Sequence, residues 1–120
     1  MNPTTAAGLK VLLVASEVAP FAKTGGLADV AGALPKALRL RGMDARVVMP
    51  LYRGIPWNEL DVLDGALSVP IGGGTARGRV RLGRLPRSEA PVYFLEHPHY
   101  YDREYLYGSA TEAYADNLER

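Results

Sequence analysis

The order of short apolar segments around one amphipathic helix constrains the fold of this chain most strongly. Residues 10–16 are rich in Leu and Val without polar alternation, which predicts a parallel strand buried on both faces. A segment with helical spacing starts at Leu27, and residues 45–49 form a second Val-rich strand that ends at Pro50. A strand, a helix and a strand in this order predict a right-handed parallel crossover and therefore an α/β fold.

Two residues are expected to shape the helix. Pro35 lies inside it, lacks an N–H and crowds the carbonyl of Ala31, so we expect a kink or a restart there. Gly42 stands where a C-terminal cap belongs. The apolar positions that predict the buried face are Leu27, Val30, Ala31, Leu34 and Leu38.

The middle of the chain indicates a β-hairpin. Residues 66–71 and 78–85 flank the turn sequence Gly72-Gly73-Gly74-Thr75, and the second run alternates charged with apolar residues. The charged positions are expected to share one solvated face of the strand, and they are Arg77, Arg79 and Arg81.

The sequence after the hairpin predicts one more strand and one more helix. Residues 91–96 form the strand, and Ser109 and Glu112 have the spacing of a capping box that opens a helix rich in Ala and Glu. That helix reaches the end of the chain without a cap, which favours a truncated domain with an unpaired sheet edge and an uncovered face. We therefore expect a loose leader at residues 1–8 and an incomplete domain at residues 9–120.

Composition excludes several classes of partner. The formal net charge is +1, so the broad positive field that holds nucleic acid or anionic lipid is missing. The chain has no cysteine, which excludes disulfides and thiolate metal sites, and no apolar run is long enough to span a membrane. We expect no nucleic-acid or membrane partner and a cytoplasmic location.

The segment Lys23-Thr24-Gly25-Gly26-Leu27, between the first strand and the helix, is the candidate binding loop. Adjacent glycines permit positive φ and close approach of a ligand, and a helix start presents unpaired N–H groups with a partial positive charge. Together with the Lys23 ammonium, this arrangement suits a phosphate. The alternative is that the two glycines only make a tight turn and that Lys23 is solvated.

Two well-known phosphate motifs do not fit. The order Lys-Thr-Gly-Gly reverses a Walker A loop, and no Gly-x-Gly-x-x-Gly follows the first strand. Residues 73–79 have glycines at the Walker spacing, but Arg79 replaces lysine and Val80 replaces serine or threonine. NTPase and NAD-dehydrogenase functions therefore lose support.

A longer segment around the loop resembles the N-terminal signature of glycogen and starch synthases, K-x-G-G-L flanked by S-E-x-x-P and D-V. In this chain the segment is Ser16-Glu17-Val18-Ala19-Pro20-Phe21-Ala22-Lys23-Thr24-Gly25-Gly26-Leu27-Ala28-Asp29-Val30. The similarity continues through residues 32–38, 48–52, 100–103 and 114–117. It covers essentially the whole chain after residue 8.

This resemblance implies the N-terminal part of a GT-B glycosyltransferase, built from a Rossmann-like parallel sheet with the β-hairpin as an insertion. The implied reaction transfers glucose from ADP-glucose to the non-reducing end of an α-1,4-glucan with retention of configuration, and no cofactor is expected. Lys23 matches the family lysine that contacts the nucleotide sugar. Gly25 and Gly26 match the glycines that let the donor lie close to the backbone. The resemblance does not decide between ADP and UDP.

Further residues are candidates for this site. Asp29 falls in the first helical turn, where it either stabilises the helix dipole or contacts the ligand. Glu17 is expected to orient the site rather than to catalyse. Tyr101 and His99 are candidates for the acceptor side because sugar rings stack on aromatic faces. The alternative is that these rings pack beneath a long loop.

Much of the implied active site has no counterpart here. His97 and His99 alone lack further metal ligands, so no metal site is expected. The family's downstream Arg, Lys, cleft histidine and late glutamate match no residue of this chain. We therefore expect no catalytic residue within it and no glucan synthesis by the chain alone. A transferase for another sugar nucleotide and a non-catalytic nucleotide- or glucan-binding module remain as alternatives.

Overall fold

A computed structural model describes residues 8–109 and 111–120, and within them it shows a six-stranded mixed sheet with one long helix. The strands are β1 (Lys10–Val14), β2 (Asp44–Pro50), β3 (Asp61–Val62), β4 (Leu67–Ile71), β5 (Gly74–Arg84) and β6 (Pro91–Glu96). The helices are α1 (Gly26–Leu40) and the short α2 (Pro98–Tyr101), and a 3₁₀ turn covers Trp57–Glu59. The predicted α/β class is confirmed. Residues 1–7 of the predicted leader lie outside the described residues.

The strand order is β1-β2-β6-β5-β3, with β4 paired to β5 beside this path. The first three strands are parallel: Leu12 lies opposite Arg46, and Met49 opposite Phe94. Strand β5 then pairs antiparallel with β6. Because parallel strands end on the same side, the carboxyl ends of β1, β2 and β6 form one continuous edge, which is where open α/β sheets bind ligands.

Strand β1 is half exposed, so the prediction of a strand buried on both faces is wrong. Leu12 is 58% exposed and Val14 is 72% exposed, while Leu13 on the opposite face packs against the core. The reason is that β1 ends the strand order, and no element among the described residues covers its Leu12 face. This is the uncovered sheet face that the sequence led us to expect.

Helix α1 buries a face of small residues rather than its larger aliphatic residues. Its buried positions are Ala28, Ala31, Gly32 and Pro35. Of the positions expected to form the buried face, Leu27 is 51% exposed, Val30 60% and Leu34 41%, so that expectation is wrong for these three. The small face allows a close approach: a Cβ added at Gly32 would lie 2.6 Å from the carbonyl oxygen of Ala19. The helix runs unbroken through the buried Pro35, so the expected restart is wrong, and the alternative of a kink stays a prediction.

The end of α1 follows the prediction at Gly42. This glycine has φ 86°, and its N–H donates to the carbonyl of Arg39 at 3.0 Å. The N–H of Met43 donates to the carbonyl of Leu38 at 3.1 Å. These two bonds form a Schellman motif, which satisfies carbonyls that the helix end would otherwise leave unpaired.

The predicted hairpin is confirmed, with one correction. Ile71 pairs with Gly74 across Gly72 and Gly73, which both have positive φ as a two-residue hairpin turn requires. The expected solvated arginine face is wrong for Arg81. Its side chain is 10% exposed and pairs with Glu96 on β6, because the neighbouring strand places a carboxylate beside it.

The helix predicted after Ser109 is absent from residues 111–120, which form turns and bends. The Ser109 hydroxyl does accept from the Glu112 N–H at 3.1 Å, as a capping box requires. The segment then turns back onto the tyrosine-rich region, where Arg103 pairs with Asp116 at 2.7 Å. Contacts of this kind with the tyrosine-rich region outweigh the helix preference that the capping-box spacing of Ser109 and Glu112 indicates. Ala110 lies outside the described residues.

We expect Gly32→Ala to lower the free energy of unfolding by about 1–3 kcal/mol, because the added methyl overlaps the Ala19 carbonyl. The midpoint of urea denaturation measures this change. Gly26→Ala in the same helix is the matched control, since its added Cβ has no described atom within 4 Å apart from its chain neighbours and the adjacent helix backbone. A Gly32→Ala protein as stable as the wild type would contradict the close contact.

Candidate functional site

The candidate loop follows β1 and leads into α1 at the carboxyl edge of the sheet. Burial and backbone hydrogen bonds fix the first half of the loop to the rest of the protein. Val18 is fully buried, and its carbonyl accepts from the N–H of Ala22 at 3.0 Å. The N–H of Ala19 donates to the carbonyl of Ala28 in α1 at 2.9 Å. Loop and helix therefore hold a fixed relative position.

A buried carboxylate sets the shape of the second half of the loop. Glu17 is 3% exposed, and its Oε1 accepts from the N–H groups of Thr24 at 3.1 Å and Gly25 at 3.0 Å. Its Oε2 accepts from the hydroxyls of Thr24 at 2.6 Å and Tyr107 at 2.7 Å. Four donors thus converge on one carboxylate. This geometry agrees with the orienting role expected for Glu17.

These contacts keep Glu17 ionised. Burial raises the pKa of the carboxyl, but the hydrogen bonds from Thr24, Tyr107 and the backbone of Gly25 outweigh burial and lower the pKa to about 2. A carboxyl with so low a pKa holds no proton near neutral pH. Glu17 therefore acts as a fixed negative anchor and not as a proton donor.

Sequence reasoning missed Tyr107 as part of this network. Its hydroxyl donates to Glu17 and accepts from the Ser16 hydroxyl at 2.7 Å, although it lies 90 residues further along the chain than Glu17. The available signal was the cluster of tyrosines near the end of the sequence. Nothing local in that cluster singles out Tyr107.

Lys23 forms an exposed ion pair with Asp29. The Nζ atom lies 2.8 Å from Oδ1 and 3.0 Å from Oδ2, and both side chains are more than half exposed. Exposed pairs of this kind contribute little to stability, on the order of 0–1 kcal/mol. Lys23 can therefore exchange this partner for a ligand anion at low cost.

Gly25 and Gly26 provide space rather than an unusual backbone conformation. Gly25 has an extended φ of −165°, and neither glycine has positive φ, so that expectation is wrong. No described atom lies within 4 Å of a Cβ added at either position. Gly25 is also the N-cap of α1, so the helix begins without a side-chain cap in front of this open space. An uncapped helix start offers N–H donors to an anion.

The two acceptor-side candidates lie on a different segment. Tyr101 packs edge-on against Tyr52 with ring centroids 5.9 Å apart, and burial raises the pKa of its hydroxyl. This is the packing role that the sequence left open for the tyrosine cluster. His99 is exposed, and its carbonyl accepts from the Arg103 guanidinium at 2.7 and 3.0 Å. Their contact with a ligand stays a prediction.

Two further properties concern the described residues only. Across residues 8–109 and 111–120, no three His, Asp or Glu side chains lie close enough together to hold a metal ion. No helix in the same residues combines the length and the apolar character that a membrane crossing requires.

The fold and the loop together define a class of protein. It is an α/β protein whose first strand leads into a lysine- and glycine-bearing loop at a helix start without a side-chain cap. The family model of the starch synthase catalytic domain matches residues 10–120. The chain therefore belongs to the starch synthase catalytic domain family, which confirms the resemblance seen at residues 16–30.

Curated relatives agree with this membership. The chain is 50% identical to a glycogen synthase of Syntrophotalea carbinolica and 53% identical to glycogen synthase 1 of Geobacter sulfurreducens. Each match covers 93% of this chain and 23% of the relative. The chain thus spans about a quarter of the length of these relatives.

A solved structure supports the fold. The catalytic domain of starch synthase IV from Arabidopsis thaliana, bound to ADP and acarbose, superposes with a TM-score of 0.74 at 30% sequence identity. The match covers 87% of this chain and 22% of that chain. The expected fold, the N-terminal part of a GT-B glycosyltransferase, is confirmed.

Replacing Glu17 with Gln should lower the free energy of unfolding by about 1–3 kcal/mol, since an amide loses the charge that strengthens four hydrogen bonds. The pH dependence should change as well. The folded-state pKa lies below the ordinary value of 4.5, so the stabilisation is complete above pH 4.5 and is lost as the pH falls towards about 2.

Urea denaturation at a series of pH values checks both effects. The variant should lose less stability than the wild type over this acidic range. Glu59→Gln, which changes an exposed glutamate, is the control and should behave like the wild type. The same acid profile in both variants would show that Glu17 is not the anchor.

Proposed function

We propose that an enzyme carrying this chain transfers glucose from ADP-glucose to the non-reducing end of an α-1,4-glucan with retention of configuration, in glycogen or starch synthesis in the cytoplasm. The observation that carries the proposal is the loop: Lys23 is exposed beside an uncapped helix start, and the space in front of Gly25 and Gly26 is open. Family membership supports the reaction, because the relatives are glycogen synthases and the structural neighbour was solved with ADP.

In this reaction the loop binds the leaving nucleotide. When the bond to glucose breaks, negative charge grows on the ADP diphosphate. Donors already aimed at that charge stabilise the transition state more than the ground state. Lys23 supplies an ammonium, and the first turn of α1 supplies backbone N–H groups. Asp29, released when Lys23 turns to the diphosphate, is free to accept a hydrogen bond from the donor.

The hydrogen bonds of Glu17 on the buried side of the loop explain why the N–H donors of the loop and helix start are already oriented before the ligand binds. Glu17 already accepts from the N–H groups of Thr24 and Gly25, so the backbone does not reorganise when the ligand arrives.

Tyr101 and Tyr107 line a crevice of about 210 Å³ that also touches Ser16 and Pro50, at the ends of β1 and β2. In the proposal, Tyr101 and His99 belong to the acceptor side of the site.

The chain supplies one part of such a nucleotide-sugar site. The residues that the family uses downstream to neutralise the diphosphate have no counterpart among these 120 residues. Activity tests therefore use a chimera in which this chain replaces the matching segment of one of the glycogen synthase relatives.

In the chimera, Lys23→Ala should lower kcat/KM for ADP-glucose by about ten- to a thousandfold, or roughly 1.4 to 4 kcal/mol, because a donor to the leaving group is lost. Initial-rate kinetics with varied ADP-glucose measure this effect. Lys36→Ala, which removes a lysine further along α1, is the control and should leave kcat/KM unchanged. Unchanged kinetics in Lys23→Ala would remove Lys23 from the site.

Gly25→Val should weaken ADP binding by roughly tenfold or more, because the isopropyl group occupies the space in front of the loop. The extended backbone at Gly25 accepts valine, so the urea midpoint should stay near that of the wild type. Calorimetric titration of the chimera with ADP, and separately with UDP, measures the affinity. Wild-type ADP affinity in this variant contradicts the proposed cradle.

The same titrations separate the alternative functions. Tighter binding of ADP than of UDP supports the proposed donor, and the reverse order favours another sugar nucleotide. Nucleotide binding by the chimera without glucose transfer favours a non-catalytic binding module.

A further inference from the structure

We propose that a pocket beside Trp57, at the carboxyl ends of β2 and β6, binds a glucosyl residue of the glucan acceptor. The inference rests on the proposed function, which requires an acceptor chain near the donor loop.

The pocket lies on the same sheet edge as the donor loop. It has a volume of about 370 Å³, and its walls include Leu51 and Tyr52 after β2 and Glu96 and His97 at the end of β6. This volume lies within the range of small-molecule pockets, about 300–1,000 Å³. Strands β1 and β6 are separated only by β2, so the axes of these two strands lie about 10 Å apart. A short stretch of glucan can therefore reach from this pocket towards the donor loop.

Trp57 offers the pocket an aromatic surface. The residue is 59% exposed, although its ring is held in place by the Arg81 guanidinium, which lies 5.2 Å from the ring centroid. Arg81 is itself buried. The tryptophan thus makes a cation–π contact while most of it remains accessible. An accessible indole suits the C–H face of a sugar ring.

The charges around the pocket favour a neutral ligand. Arg81 pairs with Glu96, and Arg53 pairs with Asp102 at 2.9 Å. Two cations and two anions leave no net charge, so a phosphate would have to displace a carboxylate from its guanidinium. Sugar hydroxyls need no such exchange, because carboxylate oxygens and guanidinium N–H groups have further hydrogen-bonding capacity. The pocket differs from the loop at Lys23 in that its Arg81–Glu96 pair is largely buried, whereas the Lys23–Asp29 pair is exposed.

This placement refines the acceptor assignment. His99 and Tyr101 do not line the pocket, whereas Trp57, Glu96 and His97 do. The sequence had directed attention to the tyrosine-rich segment, because six of the seven tyrosines lie there. The fold instead brings an aromatic ring from the β2–β3 connection to the sheet edge.

Trp57 is the only tryptophan in the chain, so its fluorescence reports directly on this pocket. Titration of the 120-residue chain with maltoheptaose should shift or quench the emission in a saturable manner, with a Kd on the order of 1 mM. ADP should leave the emission unchanged. Circular dichroism verifies that the chain is folded, and a folded chain whose emission does not respond to maltoheptaose overturns the proposal.

Kinetics of the chimera provide a second test that does not need the short chain to fold alone. Trp57→Ala should raise the KM for a glucan acceptor about tenfold, with the KM for ADP-glucose unchanged, and Trp57→Phe should recover part of the loss. Arg79→Gln is the matched control, because Arg79 is exposed on β5 outside this pocket.

The two proposals fail in different ways. A folded chimera without glucose transfer counts against the proposed function. An active chimera in which Trp57→Ala keeps the wild-type KM for the acceptor overturns the pocket assignment alone.

Discussion

The structure of the candidate site depends on one buried charge, the carboxylate of Glu17. A desolvated carboxylate is costly unless donors surround it, and here the backbone of the loop, the Thr24 hydroxyl and the Tyr107 hydroxyl do so. The same contacts that satisfy the charge also fix the path of the chain around Gly25. Two segments that are distant in sequence, the loop and the region of Tyr107, therefore share one electrostatic requirement, and the loop geometry depends on a contact 90 residues further along the chain.

The close packing of α1 against the loop fixes the loop in addition to the hydrogen bonds of Glu17. Ala28, Ala31 and Gly32 have little side-chain volume, so the helix can approach the loop until backbone meets backbone. The hydrogen bond from Ala19 to Ala28 shows the result. A helix start held in this way keeps its N–H groups in a constant direction, which a phosphate site needs. Its larger apolar residues are left facing outward.

Patterns that are decided locally were predictable from the sequence. The hairpin turn needs positive φ at two adjacent positions and has Gly72 and Gly73 there, and the end of α1 needs it at Gly42. Features that depend on distant partners were not predictable. Burial of Arg81 depends on Glu96, the role of Tyr107 depends on Glu17, and Ser109 opens no helix because the following residues fold back. Lys23 and the glycines were found through a contiguous motif, whereas Trp57 has no motif of its own.

The half-exposed first strand has a consequence for handling the isolated chain. Leu12 and Val14 face solvent, and among the described residues only β2 pairs with β1. Among the residues that the structure describes, the outer edge of β1 therefore has no strand partner, and it lies next to an aliphatic surface. Such an edge is a template for intermolecular strand pairing. Concentrated solutions of the 120-residue chain are accordingly expected to self-associate through this strand, and charged substitutions at Leu12 or Val14 offer a direct way to suppress it.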